Sequence, residues 1–252
     1  MKVIFLGAGP GDPDLLTVKA ARLLHNCQCC IYAGSLVSPA VVALIAARAE
    51  KYDSASMTLE EIIAVCGKAR EQGVDVIRLH TGDPAIFGAI GEQMAALDQL
   101  RIPYEVVPGV SSFQAAAAAM KTELTAPEVS QIIVLTRTAG RTPMPTGQDL
   151  AQMARTQATL CIFLSVHAMA EVAGTLAAQY GADCPAAVVY HASWPDERVI
   201  RGTLEDIAGK VATAGIGKTA MIIVGRALER HGTVSRLYSG QFAHGYREAR
   251  KS

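Results

Sequence analysis

The chain has 252 residues, half of them hydrophobic and 18% charged, with 23 Lys and Arg balanced by 23 Asp and Glu. That composition excludes a disordered chain and suits buried sheets covered by helices. The neutral balance removes the surplus of cations that nucleic acid or an anionic membrane surface would demand, and the length allows one large domain or two modest ones.

Residues 1–7 hold too short an apolar run for a signal peptide and read as a first strand entering a glycine turn. No apolar run reaches the roughly eighteen residues needed to span a bilayer, so a soluble, cytoplasmic protein is expected. Apolar runs at 3–6, 29–33, 76–80 and 104–107 predict strands, and amphipathic stretches at 15–24, 39–49, 58–72 and 92–100 predict helices between them. Thr58 and Glu61 are spaced as a capping box at the start of the third helix. Such alternation predicts a mostly parallel sheet with flanking helices. An alanine-rich helix is expected over 111–120, and the pattern breaks at 123–128. The boundary is placed there, giving an N-terminal α/β domain of residues 1–122 and a C-terminal α/β domain of 123–252. In the second domain, strands are expected at 131–135, 160–163, 186–190, 199–202 and 221–224, with helices near Asp149 and Met169. Some of these strands should run antiparallel, in a mixed sheet. Residues 138–148, rich in Gly, Pro and Thr, read as an active-site loop.

Six cysteines, at 27, 29, 30, 66, 161 and 184, sit in apolar stretches. They read as small buried hydrophobes in a reducing compartment, with no metal site expected.

Gly7-Ala8-Gly9-Pro10-Gly11-Asp12 follows a strand and precedes a helix. As a dinucleotide fingerprint it fails twice: Asp12 stands where glycine or alanine belongs, and Ala33-Gly34-Ser35 after the second strand offers no acidic group to a ribose. The alternatives left are a plain strand-to-helix turn or a turn that lets backbone approach a ligand. Gly217-Lys218-Thr219 resembles the end of a P-loop, but Ala212 replaces the required glycine and a strand follows in place of a helix. Thr81-Gly82-Asp83-Pro84 and Pro108-Gly109-Val110-Ser111-Ser112 are further strand-end loops, the latter placed to cap the alanine helix. Three loops at strand carboxyl ends point to the crevice where open α/β sheets bind ligands.

In this order, the G-x-G-P-G-D turn, the G-D-P loop and the P-G-V-S-S segment resemble the tetrapyrrole methylase family. Arg198-Val199-Ile200-Arg201-Gly202-Thr203-Leu204 and Ala220-Met221-Ile222-Ile223-Val224-Gly225 resemble its later landmarks, so the likeness spans nearly the whole chain. Within the family, Tyr32-Ala33-Gly34-Ser35-Leu36-Val37 and Gly140-Arg141-Thr142-Pro143-Met144-Pro145 resemble the subgroup that methylates precorrin-4 at C11 in cobalamin biosynthesis. In Phe87-Gly88-Ala89-Ile90-Gly91-Glu92, Ala89 replaces the arginine expected of uroporphyrinogen III methylases.

The resemblance implies S-adenosylmethionine as co-substrate, an active site in the cleft between the domains, a tetrapyrrole substrate, a homodimer and no required metal. By the same likeness Gly9, Pro10, Thr81, Gly82, Asp83, Ile86, Ser111, Ser112, Leu164, Ala192, Thr219 and Ala220 line the cofactor site. Tyr32, Gly34, Ser35 and Leu36 are expected toward the macrocycle. Arg137 and Arg141 stand as clamps for its carboxylates or as plain surface charges. Glu92 is a proton acceptor, a ring orienter or a solvated first-turn glutamate. His80 and His191 are expected to be structural, and Trp194 either stacks on a ligand or fills a corner. Methylation of another precorrin position, of cobalt-precorrin-4 or of uroporphyrinogen III is the nearest alternative. A noncatalytic binding module and a nicotinamide oxidoreductase are the more distant ones.

Overall fold

A computed structural model describes residues 1–140, 142–229, 239 and 241–248. The chain divides into two compact units, one of Met1–Ala119 with His191–Arg198, the other of Met120–Tyr190 with the chain from Val199 on. Residues 191–198, which a linear boundary assigns to the second half, thus cluster with the first unit.

The first unit holds β1 (Val3–Gly7), β2 (Cys29–Tyr32), β3 (Glu50–Asp53), β4 (Val76–His80) and β5 (Tyr104–Val107) in the order β3-β2-β4-β1-β5. Its neighbouring strands all pair in parallel, as the strand-helix alternation predicts. Its helices are α1 (Val18–Asn26), α2 (Pro39–Val42), α3 (Leu59–Glu71), α4 (Ile90–Gln99) and α5 (Ser112–Met120). One apolar layer joins Ile4, Leu6, Leu24, Ile77 and Leu79, and the opposite sheet face joins Val3, Phe5, Ile31, Val76 and Leu97. The side chains of β1 and β4 alternate between these layers because successive residues of a strand face opposite ways.

Three local expectations shift. The helix expected at 15–24 starts later, because Asp12 caps a short 3-10 turn at Pro13–Leu15 and Thr17 then caps α1, accepting from Ala20 N–H at 3.1 Å. The expected 39–49 helix ends at Val42, and Ala46 N–H turns to the Leu24 carbonyl at 3.0 Å. That turn delivers the unforeseen edge strand β3, whose polar Glu-Lys-Tyr-Asp sequence carries no apolar signal. The capping box forms as its spacing predicts, with Thr58 N–H donating to Glu61 Oε2 at 2.7 Å and Glu61 N–H to Thr58 Oγ1 at 3.3 Å.

The second unit holds β6 (Ile133–Arg137), β7 (Thr159–Phe163), β8 (Pro185–Tyr190), β9 (Arg198–Thr203) and β10 (Ala220–Val224) in the order β6-β7-β10-β8-β9. β6 and β7 are parallel, whereas β10 runs antiparallel to both β7 and β8, so the sheet is mixed. Helices α6 (Leu150–Ala154), α7 (Met169–Tyr180) and α8 (Ile207–Thr213) cover it. α8 was not expected. Leu160, Ile162, Leu176, Ile207 and Ile222 are fully enclosed at its centre. No helix among the described residues is long and apolar enough to cross a membrane.

Candidate functional site

Strands β4, β1 and β5 are neighbours and parallel, so their carboxyl ends share one sheet edge and the three loops that follow them lie side by side. Ala8 N–H donates to the His80 carbonyl at 2.7 Å, and Gly9 and Gly82 exchange backbone bonds of 3.3 and 2.9 Å. Asp83 ties the loops together: Oδ2 accepts from Gly109 N–H at 3.0 Å and Oδ1 from Ala85 N–H at 2.8 Å. At the meeting point only glycine fits. A Cβ on Gly7 would lie 2.6 Å from Gly109 Cα, and one on Gly109 would lie 2.2 Å from the Gly82 carbonyl oxygen. Those neighbours are backbone and cannot swing aside.

Around this junction Ile86 N–H closes a turn onto Asp83 O at 3.2 Å. Ser111 is buried, its N–H donating to Gln114 Oε1 at 2.9 Å, and Ser112 opens α5. Thr81 Oγ1 is buried without a protein hydrogen-bond partner, and so is His80 Nε2. Burial, with the nearby Arg78 charge, pushes the His80 imidazole down to about 3. His80 is therefore neutral and a poor general base at any ordinary pH.

The segment 191–198 supplies the other wall of the glycine turn. Trp194 Nε1–H donates to the Pro10 carbonyl at 2.8 Å, and Asp12 N–H donates to Ser193 Oγ at 3.0 Å. His191 stacks on the indole at 4.4 Å between centroids and bonds Asp196 through Nδ1 at 2.9 Å. That hydrogen bond holds the exposed Asp196 carboxyl below the usual range. Ala192, next along the chain from His191, is buried. The imidazole thus packs on the indole and pairs with Asp196, and Trp194 binds the turn itself.

On the second unit, the antiparallel pairing sets the end of β7, the start of β10 and the end of β8 at one sheet edge, with Ala220 opposite Tyr190. Leu164, just past β7, has φ 56° and is 62% exposed, and Thr219, just before β10, has φ 53°. Left-handed backbone at an exposed leucine is a costly arrangement typical of ligand-contacting positions. Ser165, fully buried, donates to Phe163 O at 2.6 Å and accepts from Thr138 N–H at 2.9 Å, fixing where the 138–148 loop leaves β6. In the sequence, the one signal for Ser165 is a lone hydroxyl shortly after an apolar strand.

Arg137 turns toward its own loop. Its guanidinium donates to the carbonyls of Thr138, Thr142 and Pro143 at 3.0, 3.2 and 3.1 Å, which makes it a loop brace. Arg141 lies outside the described residues. Tyr32 ends β2, where its carbonyl accepts from Ser54 Oγ at 3.2 Å, while Gly34, Ser35 and Leu36 are exposed. Gly34 N–H donates to Asp53 Oδ1 at 2.9 Å, and a Cβ at Gly34 would sit 2.2 Å from the Asp53 carboxylate. Asp53 was missed because it lies on the unforeseen edge strand. Glu92 is exposed in the first turn of α4, where the helix dipole favours its charge.

Gly9, Pro10, Thr81, Gly82, Asp83, Ile86, Ser111, Ser112 and Ala192 therefore belong to the first unit, and Leu164, Thr219 and Ala220 to one edge of the second unit's sheet. Strand-end loops that present peptide groups at glycine junctions define an α/β protein built to hold a small polar molecule by its backbone. The profile of the tetrapyrrole (corrin/porphyrin) methylases matches residues 2–208, and the chain belongs to this family. It is 50% identical to a cobalt-precorrin-4 C(11)-methyltransferase of Methanocaldococcus jannaschii, over 99% of this chain and 97% of that one. It is 49% identical to a precorrin-4 C(11)-methyltransferase of Pseudomonas aeruginosa, over 98% and 99% of the two chains. The solved cobalt precorrin-4 methyltransferase superposes with a TM-score of 0.88 at 43% identity, over 90% of this chain and 96% of that one. The uroporphyrin-III C-methyltransferase of Thermus thermophilus, solved with S-adenosylhomocysteine, superposes at 0.78 with 32% identity, over 90% and 99%.

Proposed function

We propose that this protein transfers a methyl group from S-adenosylmethionine to C11 of precorrin-4, giving precorrin-5 in cobalamin biosynthesis. The observation that carries the reading is end-to-end likeness, at 50% and 49% identity, to relatives named for methylation at that carbon. The loops fit the co-substrate. Three glycines at backbone contact keep side chains away from the junction, and the buried Thr81 hydroxyl has no protein partner. Such a surface suits a zwitterion held through peptide groups and one hydroxyl.

When bound, S-adenosylmethionine supplies an electrophilic methyl group on a sulfonium, open to in-line attack by an electron-rich carbon of the macrocycle. The chain's own part is alignment, since fixing two partners in line removes much of the entropic barrier. Gly9, Pro10, Thr81, Gly82, Ser111, Ser112 and Ala192 are the proposed contacts from the first unit, with Asp83 holding the loops and Ile86 beside them. Leu164, Thr219 and Ala220 are those from the second. Tyr32, Gly34, Ser35, Leu36 and Arg141 are proposed for the tetrapyrrole, with Arg137 bracing the loop. Alignment alone asks for no protein-held metal. The same reading makes the protein a cytoplasmic homodimer with neither nucleic acid nor membrane as partner, in keeping with its neutral charge.

Incubation with methyl-labelled S-adenosylmethionine and either precorrin-4 or cobalt-precorrin-4, followed by mapping of the label, tests this. Label at C11 is expected, and the faster substrate states whether cobalt is already in place. Label on another carbon, or transfer only to uroporphyrinogen III, would overturn the assignment.

A further inference from the structure

The 191–198 segment leaves β8 at Tyr190 and enters β9 at Arg198, yet clusters with the first unit, against the glycine turn. Its conformation is unusual for its residues: His191 has φ 46° and Ser193 has φ 70°. Neither is glycine, so the surroundings must hold the backbone there. Trp194 N–H donates to the His191 carbonyl at 2.8 Å, and Ser193 N–H donates to Glu197 Oε2 at 2.7 Å. The stacked His191 ring and its bond to Asp196 complete a rigid knuckle that presents the indole edge and the Ser193 hydroxyl together.

Both groups meet the turn on either side of Gly11. Trp194 Nε1–H takes the Pro10 carbonyl at 2.8 Å, and Ser193 Oγ accepts from Asp12 N–H at 3.0 Å. Between them, a Cβ on Gly11 would fall 2.0 Å from indole Cδ1 and 2.1 Å from Nε1, so the indole occupies the space of the absent side chain. Gly9 and Gly11 have φ 67° and 155°, values that glycine reaches freely and also leaves freely. A turn of this composition is loose unless something outside it fixes it.

We propose that Trp194, with Ser193, is a positioning residue that locks Gly9-Pro10-Gly11-Asp12 in its cofactor-ready conformation, an inference that rests on the function proposed above. Preorganisation of this kind shows in affinity, because ordering the turn no longer costs binding free energy. The transfer step itself is left alone.

Trp194→Phe keeps a ring against His191 and Gly11 but loses the N–H, and Ser193→Ala removes the acceptor of Asp12 N–H. Calorimetry gives the Kd for S-adenosylhomocysteine, and steady-state kinetics with saturating tetrapyrrole gives KM for S-adenosylmethionine and kcat. Each variant is expected to raise Kd and KM roughly tenfold, the scale of one lost hydrogen bond, with kcat within about twofold of the parent. Variants that melt earlier but keep the parent's Kd and KM would show a merely structural segment and overturn the proposal. A fall in kcat at unchanged KM would overturn it as well. Should Trp194→Phe not fold, Ser193→Ala carries the same comparison. A parent protein that does not bind S-adenosylhomocysteine at all would bring down the proposed function, a result distinct from a binding parent with unaffected variants.

Discussion

His80 shows how burial sets the chemistry available to one side chain. It lies 5.9 Å from the Phe5 ring, with Nε2 enclosed and unpartnered, and burial pushes it down to about 3 from an ordinary 6.5. Between those values the unfolded chain binds a proton that the folded chain refuses. The stability tied to the neutral ring is therefore complete above about pH 6.5 and is lost as pH falls toward about 3. Melting temperature should decline on acidification from about pH 7 to about pH 4, and less steeply in His80→Phe, which keeps an apolar ring beside Phe5. Equal slopes for the two chains would show that His80 takes no part. The sequence could place this histidine at a strand end, but its enclosure depends on neighbours brought in by other elements. Trp194 was further out of reach, since its partner Pro10 lies 184 residues away along the chain.

At the scale of elements, glycines divide into those that backbone contact demands and those that nothing demands. Gly109 sits 2.2 Å, at its would-be Cβ, from the Gly82 carbonyl, whereas nothing lies within 4 Å of the same position on Gly67 inside α3. Gly109→Ala is expected to destabilise the protein by about 1–3 kcal/mol and to abolish S-adenosylhomocysteine binding, because two strand-end loops must part. Gly67→Ala should instead stabilise by about 0.5–1 kcal/mol, since alanine is the better helix former at an open position. Denaturant unfolding of both variants checks the pair, and a Gly109→Ala chain as stable as the parent would contradict the close packing. Elements with a strong period or cap, such as α3 behind its Thr58–Glu61 box, were legible from sequence. The edge strand β3 and the shortened α2 were not, because a polar edge needs no apolar pattern and pairing along the sheet outweighed local helix preference.

Across the whole molecule all six cysteines are buried and free, three on or beside β2 and the others on α3, on β7 and just before β8. Burial raises their thiols, to about 11 for Cys29, Cys66 and Cys184 and to about 12 for Cys161. Thiolate is the reactive form, so a thiol-specific reagent should label none of them rapidly in the native protein and all six after denaturation. A fast class in the native state would place a cysteine at the surface. By itself the sequence determined the two α/β halves, the mixed second sheet, the loop glycines and the family, because strand-helix alternation and glycine turns are written in neighbouring residues. Only the tertiary structure decided that residues 191–198 join the first unit, that Trp194 and Ser193 grip the glycine turn, and that Arg137 braces its own loop. Those outcomes rest on hydrogen-bond partners and excluded volume between segments far apart in the chain, which no local pattern encodes.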